Sequence, residues 1–140
     1  MKRGQRGIVV TALAAAGTIG ATGFAAPASA ATAPLAAYNG ACGAGYTVVD
    51  SSDVGTLGTV YLTWNDRNGE NCVVTVRTKP GAAVYMHAKV FQTDDTQISS
   101  SDSGAYTSYA GPVHIPARFA CVTWRGQIAD QYVVNTGHCG

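Results

Sequence analysis

Beyond residue 37, apolar and polar residues alternate with a period of two, and no stretch of a dozen keeps a 3.6-residue apolar period free of Gly or Pro. Half-buried strands alternate in this way and amphipathic helices do not, so the chain predicts strands. "YTVVDSS" at 46–52 is the first of them. "GTVYLTW" at 58–64 sets Val60, Leu62 and Trp64 on one face and Thr59, Tyr61 and Thr63 on the other, and the first face is expected in the core. "NDRNGEN" at 65–71 predicts a turn because Asn68 and Gly69 both tolerate positive φ. "CVVTVRT" at 72–78 is the return strand, stopped by Pro80-Gly81. "AVYMHAKVFQ" at 83–92 points Val84, Met86, Ala88 and Val90 one way and Tyr85, His87, Lys89 and Phe91 the other. Residues 93–104 are polar, lack periodicity and are expected to form a loop. Strand-forming stretches follow at 105–116, 119–128 and 131–135.

Seven to eight short strands at this spacing predict an all-β fold, a compact antiparallel sandwich or barrel. Tyr106 and Tyr109 stand three apart in "SDSGAYTSYAGPV" at 101–113, so on one regular strand they would face opposite sides of the sheet. Gly111-Pro112 is expected to interrupt the ladder there, since proline has no amide donor.

The chain's beginning changes its charge. Lys2, Arg3 and Arg6 precede a run of small apolar residues that ends in Ala28-Ser29-Ala30, the three parts of a secretory signal peptide. Cleavage near Ala30 is expected, then a flexible leader over 31–37 and a single secreted β domain over 38–140. Cleavage removes three of the nine Lys and Arg residues and leaves six against eight acids, a net charge of −2. With no basic stripe, nucleic acid is not an expected partner. No second hydrophobic run exists, so no membrane attachment is expected after cleavage. Charged residues make up only 12% of the chain. The surface must therefore depend on hydroxyl and amide side chains, as suits an extracellular β protein.

Cys42, Cys72, Cys121 and Cys139 are four in number, and an even count in a small exported domain predicts two disulfides. Three connectivities are open. Cys42 with Cys72 and Cys121 with Cys139 is preferred, since each bridge would tie one end of the chain to a nearby strand. Separations of 30, 49 and 18 residues lack the close Cys pair typical of zinc sites, so no metal is expected. "DDTQISS" at 94–100 approaches a calcium clamp of two acids or amides followed by paired hydroxyls, but Thr96 stands where an acid or amide is needed.

Signs of catalysis are sparse. G-x-S-x-G is absent, His87, His114 and His138 are scattered, Asp94 and Asp95 are adjacent rather than opposed, and no cofactor motif occurs. The chain is therefore expected to be no enzyme and to carry no cofactor. The residues best suited to a ligand are aromatic: Tyr85, Tyr106, Tyr109, Trp64 and Trp124, whose rings can stack on sugar faces.

"YNGACGAGYTVVDS", "LGTVYLTWN", "NCVVTVR", "YTSYAGPV", "CVTWRGQI" and the final "HCG" together resemble the small spore-associated proteins secreted by streptomycetes. The resemblance covers nearly the whole chain beyond the signal segment and includes all four cysteines. It implies a secreted protein recovered with spores or aerial hyphae, with no catalytic residues to carry over. The expected partners are components of the spore or hyphal wall, polysaccharide foremost. The alternative is an extracellular protease or other hydrolase, inhibited by a rigid loop formed from residues 93–104.

Overall fold

The computed structural model describes residue 23 and residues 25–140. Most of the expected signal segment lies outside them. Among the described residues there is no helix, and eight antiparallel strands make two four-stranded sheets. Sheet A has the order β1 (Thr47–Val54), β2 (Gly58–Asn65), β3 (Glu70–Arg77), β6 (Tyr109–Pro116). Sheet B runs β5 (Ser99–Tyr106), β4 (Val84–Gln92), β7 (Val122–Ile128), β8 (Gln131–Gly137). The chain crosses between sheets after β3, β5 and β6, which brings β6 beside β3 and β7 beside β4. Of the two architectures expected, the structure is the sandwich.

Alternation explains the core directly. Val60 and Leu62 from β2, Met86, Ala88 and Val90 from β4, and Val122, Trp124 and Ile128 from β7 meet between the sheets, all buried. The layers touch most closely at Gly126, where a Cβ would lie 2.5 Å from Val60 Cβ and 3.0 Å from Thr75 Oγ1. Only hydrogen fits there. Two polar bridges cross the same gap: Thr75 Oγ1 donates to the His87 carbonyl at 2.9 Å, and Asn135 Nδ2 donates to Ser52 Oγ at 2.9 Å. The first gives the buried Thr75 hydroxyl a partner it would otherwise lose on leaving water, and the second joins two half-buried side chains.

The expected turn forms where Gly69, at φ +69°, lets its amide donate to the Asn65 carbonyl at 2.9 Å. A side chain at that φ would be strained, so glycine is the fitting residue.

The second face of β2 is buried as thoroughly as the first. Thr59, Tyr61 and Thr63 are covered, with Cys72, Val74 and Val76 of β3, by the segment entering β1. Ala36 N donates to Thr59 Oγ1 at 3.0 Å, Tyr61 OH donates to the Ala36 carbonyl, and the Tyr38 and Tyr61 rings pack at 5.4 Å. Cys42 is bonded to Cys72. Tyr46 OH then donates to Glu70 Oε2 at 2.7 Å, and its ring meets His114 edge-on at 5.3 Å. Residues 35–46 thus form a strap over sheet A. The expected leader is anchored before it ends, because Ala36 already lies in this second apolar cluster.

Cys121 is bonded to Cys139, so both preferred pairings are present. The expected loop at 93–104 is only partly a loop, because residues from Ser99 onward form β5. Its side chains include no alternating apolar set, and what holds it is the backbone ladder to β4. Tyr106 and Tyr109 are not on one strand either. Tyr106 closes β5 in sheet B and Tyr109 opens β6 in sheet A, with the crossing between them. Tyr106 OH donates to Asp102 Oδ1 at 2.5 Å and the Gly111 amide donates to Asp102 Oδ2 at 2.7 Å, so this carboxylate ties the crossing to the bulge in β6.

Candidate functional site

The two outer faces of the sandwich differ. The strap covers the central strands β2 and β3 of sheet A, whereas on sheet B Tyr85 is exposed at 49%, Tyr132 at 61% and Val134 at 49%. The face is ordered in rows by strand register. Ser103, His87, Gln127 and Tyr132 lie across β5, β4, β7 and β8 in one row. Ser101, Lys89, Arg125 and Val134 make the next, and Ser99, Phe91, Thr123 and Thr136 the third. Adjacent strands stand about 4.8 Å apart, so each row is a ladder of side chains at that pitch.

Stacking holds the cations in place. The Arg125 guanidinium lies 4.6 Å from the centre of the Tyr132 ring and donates to Gln127 Oε1 at 2.6 Å, while Lys89 Nζ lies 5.4 Å from the Phe91 ring. Each contact is attractive through the ring quadrupole. On the edge, the Ser99, Ser101 and Ser103 hydroxyls all point outward and are exposed. Rings, hydroxyls and cations on a flat surface suit stacking and hydrogen bonding to a polyhydroxylated ligand.

Burial first, then the charges of Arg125 and Lys89, push the His87 imidazole below its ordinary value, against an upward pull from Asp102. The unfolded chain therefore binds the proton first as pH falls. Stability from neutral His87 is complete above the ordinary value near 6.5 and is lost as pH drops through the lowered one. The advantage of the wild-type chain over His87→Gln should shrink between about pH 7 and about pH 5. Urea unfolding of both at each pH measures it, and a constant difference would contradict the assignment.

Of the five aromatic residues expected at a ligand, Tyr85 alone is on this face. Trp124 is 1% exposed in the core, alternating inward with Val122, Gly126 and Ile128. That burial removes it from any ligand surface. Trp64 is at an end of sheet A, between His138, at 5.1 Å ring to ring, and Arg118, 5.8 Å from its ring. Tyr106 is half-buried against the core, and Tyr109 is exposed on the other sheet. Tyr132 and Arg125 were not among the expected residues. Alternation in "QYVVN" at 131–135 could have paired Tyr132 with Val134 on one face, but nothing local places Arg125 beside them.

Elsewhere, a pocket of about 390 Å³ opens at one end of the sandwich over Leu57, Val84 and Ile128, with Arg77 and Lys79 at its wall. Arg77 Nη1 is already committed to the carbonyls of Ala82, at 2.9 Å, and Thr107, at 3.0 Å. It secures the loop ahead of β4. The three histidines are dispersed: His87 on sheet B, His114 exposed beside the strap at Tyr46 and His138 against Trp64. Among the described residues no three His, Cys, Asp or Glu side chains converge as a metal site would require.

The chain is 46% identical over 136 residues to spore-associated protein A of Streptomyces coelicolor, an alignment covering 96% of this chain and 79% of the relative. No family model matches the chain, and no solved structure matches it.

Proposed function

Because the chain belongs to the family of spore-associated protein A, we propose that it is a non-catalytic secreted protein that binds polysaccharide at the spore or hyphal surface through the outer face of sheet B. The observation that carries this reading is the exposure of Tyr85 and Tyr132 on the same outer face as the serine ladder of β5. Sugars present apolar C–H faces and equatorial hydroxyls, and this surface offers rings for the first and hydroxyls for the second. The two disulfides support an oxidising, extracellular compartment.

The inhibitor alternative depended on residues 93–104 as a presented loop. With β5 beginning at Ser99, the free segment shortens to 93–98, and that segment is folded on itself by Asp95 N to the Gln92 carbonyl at 3.3 Å and Ile98 N to the Asp95 carbonyl at 3.1 Å. Polysaccharide binding is the better supported of the two.

Cosedimentation with purified spore wall tests the reading. Tyr85→Ala and Tyr132→Ala are each expected to weaken retention about tenfold, as for an aromatic hot spot, with the thermal midpoint nearly unchanged because both side chains are exposed. Wild-type protein that stays in the supernatant would refute it.

A further inference from the structure

The central row of sheet B places two cations on adjacent strands with no acid beside them. Lys89 and Arg125 are register partners on β4 and β7, directly opposite each other and on the same outer face. Like charges so placed destabilise a sheet. Among the described residues neither has an acidic partner, the one ion pair being Arg118 with Asp66. The acids lie elsewhere: Asp50, Asp53, Asp66 and Glu70 on the strands and hairpin of sheet A, Asp94, Asp95 and Asp130 in turns, and Asp102 bonded inward to Tyr106 and Gly111. Among the described residues acids outnumber bases eight to six, yet this face carries two cations and no acid.

We infer that this face takes an anionic polysaccharide bearing carboxylates on its sugars, with Lys89 and Arg125 each holding one carboxylate. This rests on the polysaccharide reading above and specifies its ligand class. Three features select the ligand. Lys89 and Arg125 rise from adjacent strands, but their heads lean to opposite flanking rows, Lys89 toward Phe91 and Arg125 toward Tyr132 and Gln127, so the two cations are spread across the face and suit a chain that carries more than one carboxylate. The guanidinium of Arg125 lies against Tyr132 on one side, which leaves its edges, not its face, for an anion, and a planar carboxylate is suited to an edge. The flanking rows provide the exposed serines Ser99 and Ser103 and an exposed Tyr132 ring. A polyuronate brings sugar rings and carboxylates together, whereas a polyol-phosphate chain has no ring to stack.

The test uses the disulfide-bonded chain without its signal segment and immobilised polygalacturonate, chitin and a glycerol-phosphate polymer. Polygalacturonate is expected to retain the protein best. Its affinity should fall on the order of tenfold from 50 to 200 mM salt, as expected when about two counterions are displaced. Lys89→Gln and Arg125→Gln should each weaken that retention severalfold, and together they should remove most of its salt dependence. The thermal midpoint of the double variant should not fall, because a like-charge pair has been removed. Equal retention on chitin and polygalacturonate, indifferent to salt and to both substitutions, overturns the anionic assignment while the polysaccharide reading stands. Retention on the glycerol-phosphate polymer alone overturns the carboxylate assignment. Retention neither on any of the three nor on spore wall overturns both readings together.

Discussion

Trp124→Ala is expected to lower the unfolding free energy by about 3–5 kcal/mol, the range for emptying a buried aromatic site. Trp124 is 1% exposed, and the sheets that enclose it are held at fixed spacing by their ladders and by two cross-sheet hydrogen bonds. They can close only part of the void. Small domains are commonly stable by about 5–15 kcal/mol, so the variant should sit close to the threshold for folding. Trp124→Phe should cost clearly less. It fills most of the same space, and it removes an indole N–H that has no hydrogen-bond partner in the core. Guanidinium unfolding of the three chains gives the order. If Trp124→Phe proves as damaging as Trp124→Ala, packing volume is not what the indole contributes.

Opening the Cys42–Cys72 bridge should be comparably costly. The bond closes a sequence separation of 30, for which restriction of the unfolded chain contributes about 3–4 kcal/mol. It also fixes the middle of the strap to a residue with no exposure at all, Cys72. Without it, residues 35–46 are held by non-covalent contacts alone, among them those of Leu35, Ala36, Tyr38, Ala41 and Tyr46. Cys42→Ser with Cys72→Ala should therefore lower stability and bare Tyr61, Val74 and Val76 in the native state. Binding of an apolar dye such as anilinonaphthalene sulfonate reports that exposure. Cys121→Ser with Cys139→Ser is the control, because that bridge closes a separation of only 18 and ends in an exposed tail. It should cost less and leave dye binding unchanged. Equal dye binding in the two variants would mean that the strap holds without its disulfide.

Both experiments concern features only half legible in the sequence. Trp124 stood out there as a ring available to a ligand, yet its neighbours Val122 and Ile128 on the same alternation already assign it inward. The alternation of β4 was read correctly, and with it the outward set of Tyr85, His87, Lys89 and Phe91. β5 was read as loop because its inward positions are Ser100, Asp102 and Gly104, which carry no apolar signal. An edge strand can be formed by backbone pairing alone, and Asp102 then finds its partners in Tyr106 and the Gly111 amide rather than in the core.

By itself the sequence determined the all-β class, most strand positions, the inward and outward sides of β2 and β4 and the turn at Gly69, and it favoured one of three cysteine pairings without fixing it. These depend on short-range periodicity, turn chemistry and chain ends, all written locally. Only the tertiary structure decided that the chain is a sandwich, that residues 35–46 bury one outer face while the other stays open, and that Lys89, Arg125 and Tyr132 meet on the open one. Those outcomes depend on register between strands distant in sequence and on which segment lies over which sheet. Side-chain alternation tells a strand which way its residues face, but not which strand will stand beside it.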